Sequence, residues 1–424
     1  MPVLLRLIYN TGILLYGMGV RLAALKNPKA KLWVKGRKGI FKEIEKSVDR
    51  NEKRLWFHAA SLGEFEQGRP LIELIKAHHP DHKIVLTFFS PSGYEVRKNY
   101  GVADHVFYLP LDTPANAAQF IGLIKPQFAI FIKYEYWYNY FNTLKRQSIP
   151  LFMLSAAFRP EQPFFRKTGS LHREMLGCVN HFFVQDEASG KLLQESGFSN
   201  YTIVPDTRID RVWQISRKAE QLPVIEDFLN GEKAIIAGSI YKAENDILVS
   251  AFREGHIHGK IILVPHSVDE NTLHEIEKSW GGHITRYSRW GAGDDKQVLL
   301  VDVIGLLSGI YQYGSTAIIG GGFGKSIHNI LEPAAFGLPV LFGPNFHKFR
   351  EAQELIEMGG AATFDNPEVL RSYLAKLADT EKRMEMGAIS ANYIDRNTGG
   401  TEIVYRWLQN NGLLKPNTGP AEIL

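Results

Sequence analysis

STAIIGGGFGKSIHNILEPAAFGLPVLFGPNFHKF, residues Ser315–Phe349, is the stretch whose reading decides the fold. Ala317, Ile318 and Ile319 form an apolar run that reads as a buried strand. Gly320, Gly321, Gly322 and Gly324 then let the backbone turn tightly and approach a ligand without Cβ clashes. A helix is expected from about Asn329, closed by Gly337, and Pro339-Val340-Leu341-Phe342 begins the next strand, which Gly343-Pro344 breaks. The order is strand, glycine loop, helix, strand. A helix starting after such a loop turns unpaired N–H groups and its positive dipole end toward the crevice, which suits phosphate.

Asn329 and Glu332 also have the N-x-x-E spacing of a capping box, and capping alone accounts for both. Two features weigh on the other side. Four glycines with Lys325 and His328 exceed what a turn needs. Pro333 in the first helical turn leaves Glu332 facing the loop, where a carboxylate can accept hydrogen bonds from a ribose diol. The motif supports a nucleotide site and no particular chemistry.

At 424 residues the chain is too long for one ordinary core, so two or three domains are expected. Hydrophobic content of 45% and charged content of 22% are ordinary for globular proteins. The net charge of +4 is too weak to argue for nucleic acid and suits anionic substrates or an anionic membrane face. The single cysteine, Cys178, excludes an internal disulfide and a cysteine metal cluster, and fits a reducing compartment. No histidine pair has metal-ligand spacing, and no metal is expected.

The N-terminus carries Arg6, an apolar segment from Leu7 to Val20 interrupted by Asn10, and then Arg21, Lys26, Lys29, Lys31, Lys35, Arg37 and Lys38. A bilayer span needs about 20 apolar residues, so the segment falls short unless flanking residues join it. Leu22-Ala23-Ala24 would allow a signal peptide, but the positive run directly after the apolar segment favours cytoplasmic retention. The reading is an anchor dipping into the inner leaflet, its basic flank drawn to acidic headgroups, with a buried first helix as the alternative.

Along the chain, strands alternate with helices. After a charged stretch at Glu43–Arg54 come Leu55–Ala59, Ile84–Phe89, Val106–Leu109, Phe128–Ile132, Leu151–Leu154, Phe182–Val184 and Tyr201–Val204. Asp210–Lys233 reads as a polar helix containing Pro223, a linker. A second series follows: Ala234–Ala237, Ile261–Val264, Val298–Val301, Thr316–Ile319, Val340–Phe342 and Ala361–Phe364, with a last helix at about Glu381–Gln409. Two doubly wound α/β halves facing a cleft are the economical fold, with ligands beyond the carboxyl ends of the strands.

Glu64 is the best candidate base. It follows a strand end and Gly63, at a helix start whose dipole is expected to lower its pKa and keep it ionised; a glutamate serving only that dipole is the alternative. Glu135, in Lys133-Tyr134-Glu135-Tyr136-Trp137, either orients a substrate or pairs with Lys133. Arg208 falls where the halves join and suits a carboxylate or phosphate, or a surface ion pair. Ser239, in Ala237-Gly238-Ser239, sits at a turn fit for another phosphate contact. Phe158-Arg159 through Phe164-Phe165-Arg166-Lys167 could grip an amphiphile or be core with a charged rim.

Taken together, these motifs resemble the 3-deoxy-D-manno-octulosonic acid (Kdo) transferases of lipopolysaccharide synthesis, which are GT-B glycosyltransferases. His58-Ala59-Ala60-Ser61-Leu62-Gly63-Glu64 is similar to the family's H-x-x-S-x-G-E, and Glu135-Tyr136-Trp137 to its E-x-W. Gly320-Gly321 through His328-Asn329-Ile330-Leu331-Glu332-Pro333-Ala334-Ala335 resembles its G-G-…-H-N-x-L-E-x-A-A, and Gly343-Pro344 with Phe349 its G-P-…-F. The resemblance implies inverting transfer of Kdo from CMP-Kdo to a lipid A precursor at the cytoplasmic face of the inner membrane, without a cofactor or metal. It implies Glu64 as the base, with Ser61, Gly63, Glu135 and Trp137 shaping the acceptor side. Arg208, Ser239, His266, Gly321, Gly322, Gly324, His328, Asn329 and Glu332 would bind the donor. The chain departs from the family's pattern at His266 (usually arginine), Leu306 (often acidic), Pro205 (glycine) and Tyr138 (proline).

The expected organisation is a membrane-anchor segment at residues 1–38, an acceptor-binding domain at 39–215, a CMP-Kdo-binding domain at 216–385, and a C-terminal helix and tail at 386–424 packing back on the first domain. Two other functions fit the same fold: a nucleotide-sugar epimerase, which needs no acceptor, and a membrane-attached nucleotide-binding protein without catalysis.

Overall fold

The computed structural model describes residues 3–49, 52–166, 168–291 and 294–415. Lys167 and the tail 416–424, both named above, lie outside the described residues. The chain divides into two compact units, Met1–Asp210 with Gly399–Leu424, and Arg211–Thr398.

In the first unit the strands are β1 (Lys53–Ala59), β2 (His82–Phe88), β3 (His105–Tyr108), β4 (Phe128–Ile132), β5 (Leu151–Ala156), β6 (His181–Val184) and β7 (Tyr201–Ile203). They form one parallel sheet in the order β3-β2-β1-β4-β5-β6-β7. β1 is buried throughout after its first residue because helices cover both sheet faces. Trp56 packs into one layer with Phe120, Phe131 and Tyr140. Leu55 and Phe57 enter the other with Phe65, Ile72 and Phe88. The order reverses between β1 and β4, and that reversal opens a crevice at the carboxyl ends of these two strands.

The second unit repeats the plan with β8 (Ala234–Ile240), β9 (Lys260–Pro265), β10 (Ile284–Arg286), β11 (Val298–Leu300), β12 (Gly314–Ile319), β13 (Val340–Phe342) and β14 (Ala361–Thr363). The order is β10-β11-β9-β8-β12-β13-β14, also parallel, with its reversal between β8 and β12. The α/β GT-B class expected from the sequence is the class observed. β10 was not expected: it is a three-residue edge strand, and its buried residue is Arg286, ion-paired to Glu270 and Glu277.

Two further boundaries differ from the sequence reading. The polar linker is two helices, Thr207–Arg217 and Pro223–Leu229, and the units part at Asp210. The single last helix is instead Thr380–Arg396 and Gly400–Asn410, broken at Gly399 (φ 93°). The units therefore part at 398/399, where the sequence reading placed 385/386. Thr380–Arg396 stays with the second unit because Ser390 Oγ donates to the Gly360 carbonyl (2.9 Å) and Tyr393 Oη to Glu354 (2.7 Å). Gly400–Asn410 belongs to the first unit. Asp210 accepts from the Gly399 and Thr401 amides, both at 2.6 Å, and Val404, Tyr405 and Leu408 join the layer around Ile72 and Phe88.

The N-terminal apolar segment is a 21-residue helix, Val3–Ala23, long and apolar enough to cross a membrane by length and composition. Of its residues only Gly17 is buried, whereas Leu4, Leu7, Ile8, Leu14, Leu15 and Leu22 are exposed, so the helix is not a core helix. Arg37 leaves the expected basic flank: its guanidinium lies over Trp33 at 3.8 Å and donates to the Leu109 and Phe89 carbonyls, both at 2.8 Å.

Because Leu408 is fully buried in the first unit's layer, Leu408→Ala should destabilise the protein by about 2–5 kcal/mol, read by urea unfolding of the full chain. A loss within about 0.5 kcal/mol, as for a surface site, would show that this helix does not help hold the first unit together.

Candidate active site

At the first reversal, β1 delivers His58 and then Ser61-Leu62-Gly63-Glu64, and Ser61 is the N-cap of helix Leu62–His78. Glu64 occupies the third helical position and folds back, its Oε2 accepting from the amides of Ala60 (2.6 Å) and Ser61 (3.1 Å). This is the glutamate half of a capping box, so Glu64 serves its helix start through that oxygen. It engages only one oxygen. Oε1 makes no hydrogen bond among the described residues and is the atom left for chemistry.

From β4 comes Glu135. Its Oε2 faces His58 Nε2 at 3.1 Å and accepts from Trp137 Nε1 at 2.7 Å. His58 is fully buried, with Nδ1 at 2.8 Å from the Thr87 hydroxyl on β2. His58 Nε2 donates to the Glu135 carboxylate, and Nδ1 also lies 3.1 Å from the Thr87 carbonyl, so both ring nitrogens are engaged. Trp137 is held in turn by its ring against Phe89, 4.7 Å between centroids. Glu135 is thus fixed by His58 and Trp137. Lys133 has a left-handed backbone (φ 65°), a strained conformation at a strand end.

The pKa expectation for Glu64 is corrected. Its carboxyl is pushed up to about 7, chiefly by burial and next by the nearby Glu135 charge, and the Ala60 and Ser61 amides and Lys133 pull only partly the other way. Burial and a like charge outweigh the helix N-terminus.

Arg208 makes a two-pronged pair with Asp206 (2.9 and 2.6 Å), and the Thr207 hydroxyl bonds the Gln67 carbonyl. Burial works against Asp206, yet the Arg208 guanidinium beside it holds its carboxyl below the usual range.

At the second unit's reversal, Ser239, His328, Asn329 and Glu332 line one cavity of about 220 Å³, with Ser308 and Tyr311. Glu332 accepts from Ser308 Oγ (2.9 Å) and from Asn329 Nδ2 (3.0 Å), and Asn329 Oδ1 takes the Leu331 amide (3.0 Å). The capping box that the N-x-x-E spacing allowed is not formed, because the helix starts later, at Leu331, and runs only to Ala335. Its dipole is correspondingly short. Gly337 closes it with φ 68°, as expected.

The glycines serve the unit's own backbone. A Cβ on Gly320 would lie 2.2 Å from the Ser239 carbonyl oxygen, and one on Gly321 (φ 91°) 2.4 Å from that of Ser326. They allow the loop to pass against β8. Gly322 likewise abuts Gly343, and Gly324 lies in the same turn. His266 stacks on Tyr241 (4.7 Å) and on His328 (4.6 Å), and the Tyr241 hydroxyl meets His328 Nε2 at 3.1 Å.

Sequence reasoning missed Tyr241, Glu244, Ser308 and Tyr311. Glu244 is buried, accepting from the Gly321 amide (2.8 Å) and the Tyr241 amide (3.1 Å), so it pins the glycine loop. The available signal was its third position in helix Lys242–Arg253, the place Glu64 holds in the first unit.

Residues 34–211 match the family model of 3-deoxy-D-manno-octulosonic-acid transferase (kdotransferase). The chain is similar to the 3-deoxy-D-manno-octulosonic acid transferase of Aquifex aeolicus, 29% identical over 78% of this chain and 88% of that one. It is also similar to that of Haemophilus influenzae, 27% identical over 82% and 84%. Among solved structures it resembles the UDP-GlcNAc 2-epimerase of Neisseria meningitidis (TM-score 0.58, 15% identity, 84% and 100% covered). It also resembles Acinetobacter baumannii MurG (TM-score 0.55, 12% identity, 84% and 99% covered). At such identities the structural likeness shows the fold alone.

If the Glu135 charge helps raise Glu64, Glu135→Gln should move the Glu64 titration from about 7 toward its ordinary 4.5, followed by carboxyl carbon NMR. An unmoved titration would assign the whole shift to burial.

Proposed function

We propose that the chain, whose residues 34–211 match the Kdo transferase family model, moves Kdo, with inversion, from CMP-Kdo to a lipid A precursor, with Glu64 as general base. The observation that carries this reading is Glu64 itself: a carboxylate at a strand-end crevice, anchored through one oxygen, with a pKa near 7. A base is most effective when its pKa lies near the working pH.

In this reading an acceptor sugar hydroxyl attacks the anomeric carbon of Kdo. Its proton passes to Glu64 Oε1, and the bond to the phosphate oxygen breaks with its electron pair leaving on CMP. Glu135 and Trp137 shape the acceptor side. Ser239, His266, His328, Asn329, Glu332 and the loop Gly321–Gly324 hold the nucleotide, Glu332 being placed for a ribose diol. Arg208 supplies positive charge toward the donor, although it is already paired with Asp206. No metal ion or other cofactor takes part; backbone N–H groups and cations of the chain stabilise the leaving phosphate. The exposed apolar face of Val3–Ala23 seats the enzyme on the cytoplasmic face of the inner membrane, with Lys26 to Lys35 toward acidic headgroups.

The epimerase reading shares the fold and differs in needing no acceptor. Release of CMP from CMP-Kdo should therefore depend on added lipid A precursor, with mass spectrometry of the lipid giving the number of Kdo units. Glu64→Gln should lower kcat by about 10²–10⁴-fold while CMP-Kdo still binds. Substantial turnover in that variant removes Glu64 as the base. In the wild type, kcat/KM should rise with pH through about 7, since only the ionised carboxylate of the free enzyme accepts a proton.

A further inference from the structure

Helix Tyr138–Arg146 begins directly after Glu135-Tyr136-Trp137, with Trp137 as its N-cap and no cap from its own side chain. The first-turn N–H groups of a helix need partners from elsewhere. Here they come from two distant places. The Asn139 and Tyr140 amides donate to the two oxygens of Asp112, each at 3.0 Å, and the Tyr138 amide donates to Tyr9 Oη at 3.2 Å. Tyr9 Oη in turn donates to Asp112 Oδ2 at 2.7 Å. Asp112 is almost fully buried, in the loop beyond β3, and Tyr9 belongs to the N-terminal helix. Asn139 Nδ2 adds a bond to Asn10 Oδ1 (2.9 Å), and the Tyr9 ring lies edge-on to Tyr138 at 5.6 Å. A second line of contact runs from Tyr16 through Phe89 (6.1 Å) to Trp137 (4.7 Å), which holds Glu135.

We propose that Tyr9 and Asp112 form a latch through which the seated N-terminal helix fixes the Glu135–Trp137 segment, making Tyr9 a positioning residue for the active site. The part that concerns catalysis rests on the function proposed above. Membrane attachment needs only the exposed apolar face of this helix, whereas the Tyr9 hydroxyl lies on the face turned to the unit. Without that hydroxyl the Tyr138 amide loses its acceptor and Asp112 loses a donor. The turn that carries Glu135 is then free to shift, and a displacement of about 1 Å at a positioning group can cost on the order of a hundredfold in rate.

The test compares wild type and Tyr9→Phe as full chains in detergent micelles, with CMP-Kdo and a dispersed lipid A precursor, so that recruitment to a bilayer plays no part. Hydrogen exchange at residues 138–140 should quicken by about tenfold or more, kcat should fall by about tenfold to a hundredfold, and the KM for CMP-Kdo should stay unchanged. Wild-type exchange at those amides overturns the latch. Faster exchange with wild-type kcat overturns the positioning role. Should Tyr9→Phe fail to fold, as shown by its circular dichroism melt, Asp112→Asn keeps the shape, removes one acceptor and is judged by the same readouts. If the wild type transfers no Kdo, the proposed function falls, and exchange at residues 138–140 alone still decides the latch.

Discussion

Two carboxylates, Glu64 and Glu135, are kept within one another's field at the carboxyl end of a parallel sheet, and the first unit is arranged around holding them there. Neither would stay in place unaided, since burial and like charge both oppose the ionised pair. Glu64 is tied by two backbone amides at the start of its helix, Glu135 by a buried histidine and an indole N–H. His58 reaches Glu135 because β1 and β4 are neighbours in the sheet, and it is oriented by Thr87 on β2. Three adjacent strands therefore fix one charge, and that charge contributes to the proton affinity of the other.

The two units place the same local device in different surroundings. In each, the helix after the first strand has a glutamate at its third position that folds back onto backbone amides. Glu244 spends both oxygens this way, on Tyr241 and Gly321, and is closed off from solvent. Glu64 spends one. The difference lies in what passes overhead. In the second unit a glycine loop crosses β8 so closely that Gly320 and Gly321 admit no side chain, and it seals the glutamate in. In the first unit the corresponding place after β4 is taken by Lys133 and Glu135, and the Glu64 carboxylate is only partly buried.

Much of this was legible in the sequence because it depends on local pattern. Apolar runs of three to six residues bounded by glycine or polar turns marked thirteen of the fourteen strands among the described residues, and in the exception, β10, the buried residue is Arg286, whose ion pairs no hydrophobic pattern announces. Ser239, His328, Asn329 and Glu332 could be named from motifs, and the structure gathers them around one cavity. What the sequence hid depends on distance in space. The helix dipole at Glu64 is visible in the chain, but the opposing Glu135 charge and the burial are not, so the expected sign of its pKa shift was wrong. Asn397-Thr398-Gly399-Gly400 is a readable break, yet the periodicity on either side runs through it; Asp210, far away in the chain, caps the helix that follows. The partnership of Tyr9 with Asp112 joins residues 103 apart, and no spacing rule points to it.

The fold by itself does not choose among chemistries. Proteins whose names describe a sugar epimerase and MurG superpose on this chain over most of their length at 12–15% identity, so the doubly wound pair is a scaffold that leaves the reaction open. What differs from one user of the scaffold to another must lie in the loops at the two reversals of strand order. In this chain the first of those loops is braced by an element that such a fold does not require. The N-terminal helix turns hydrophobic side chains outward and hydrogen-bonding ones inward, onto the turn behind Glu135. An apolar helix selected only to hold a membrane has no use for Tyr9, Asn10 and Arg6 on its protein face, each bonded to a partner more than a hundred residues away. Its two faces answer to different demands, and the inward one is set by the geometry of the active-site loop.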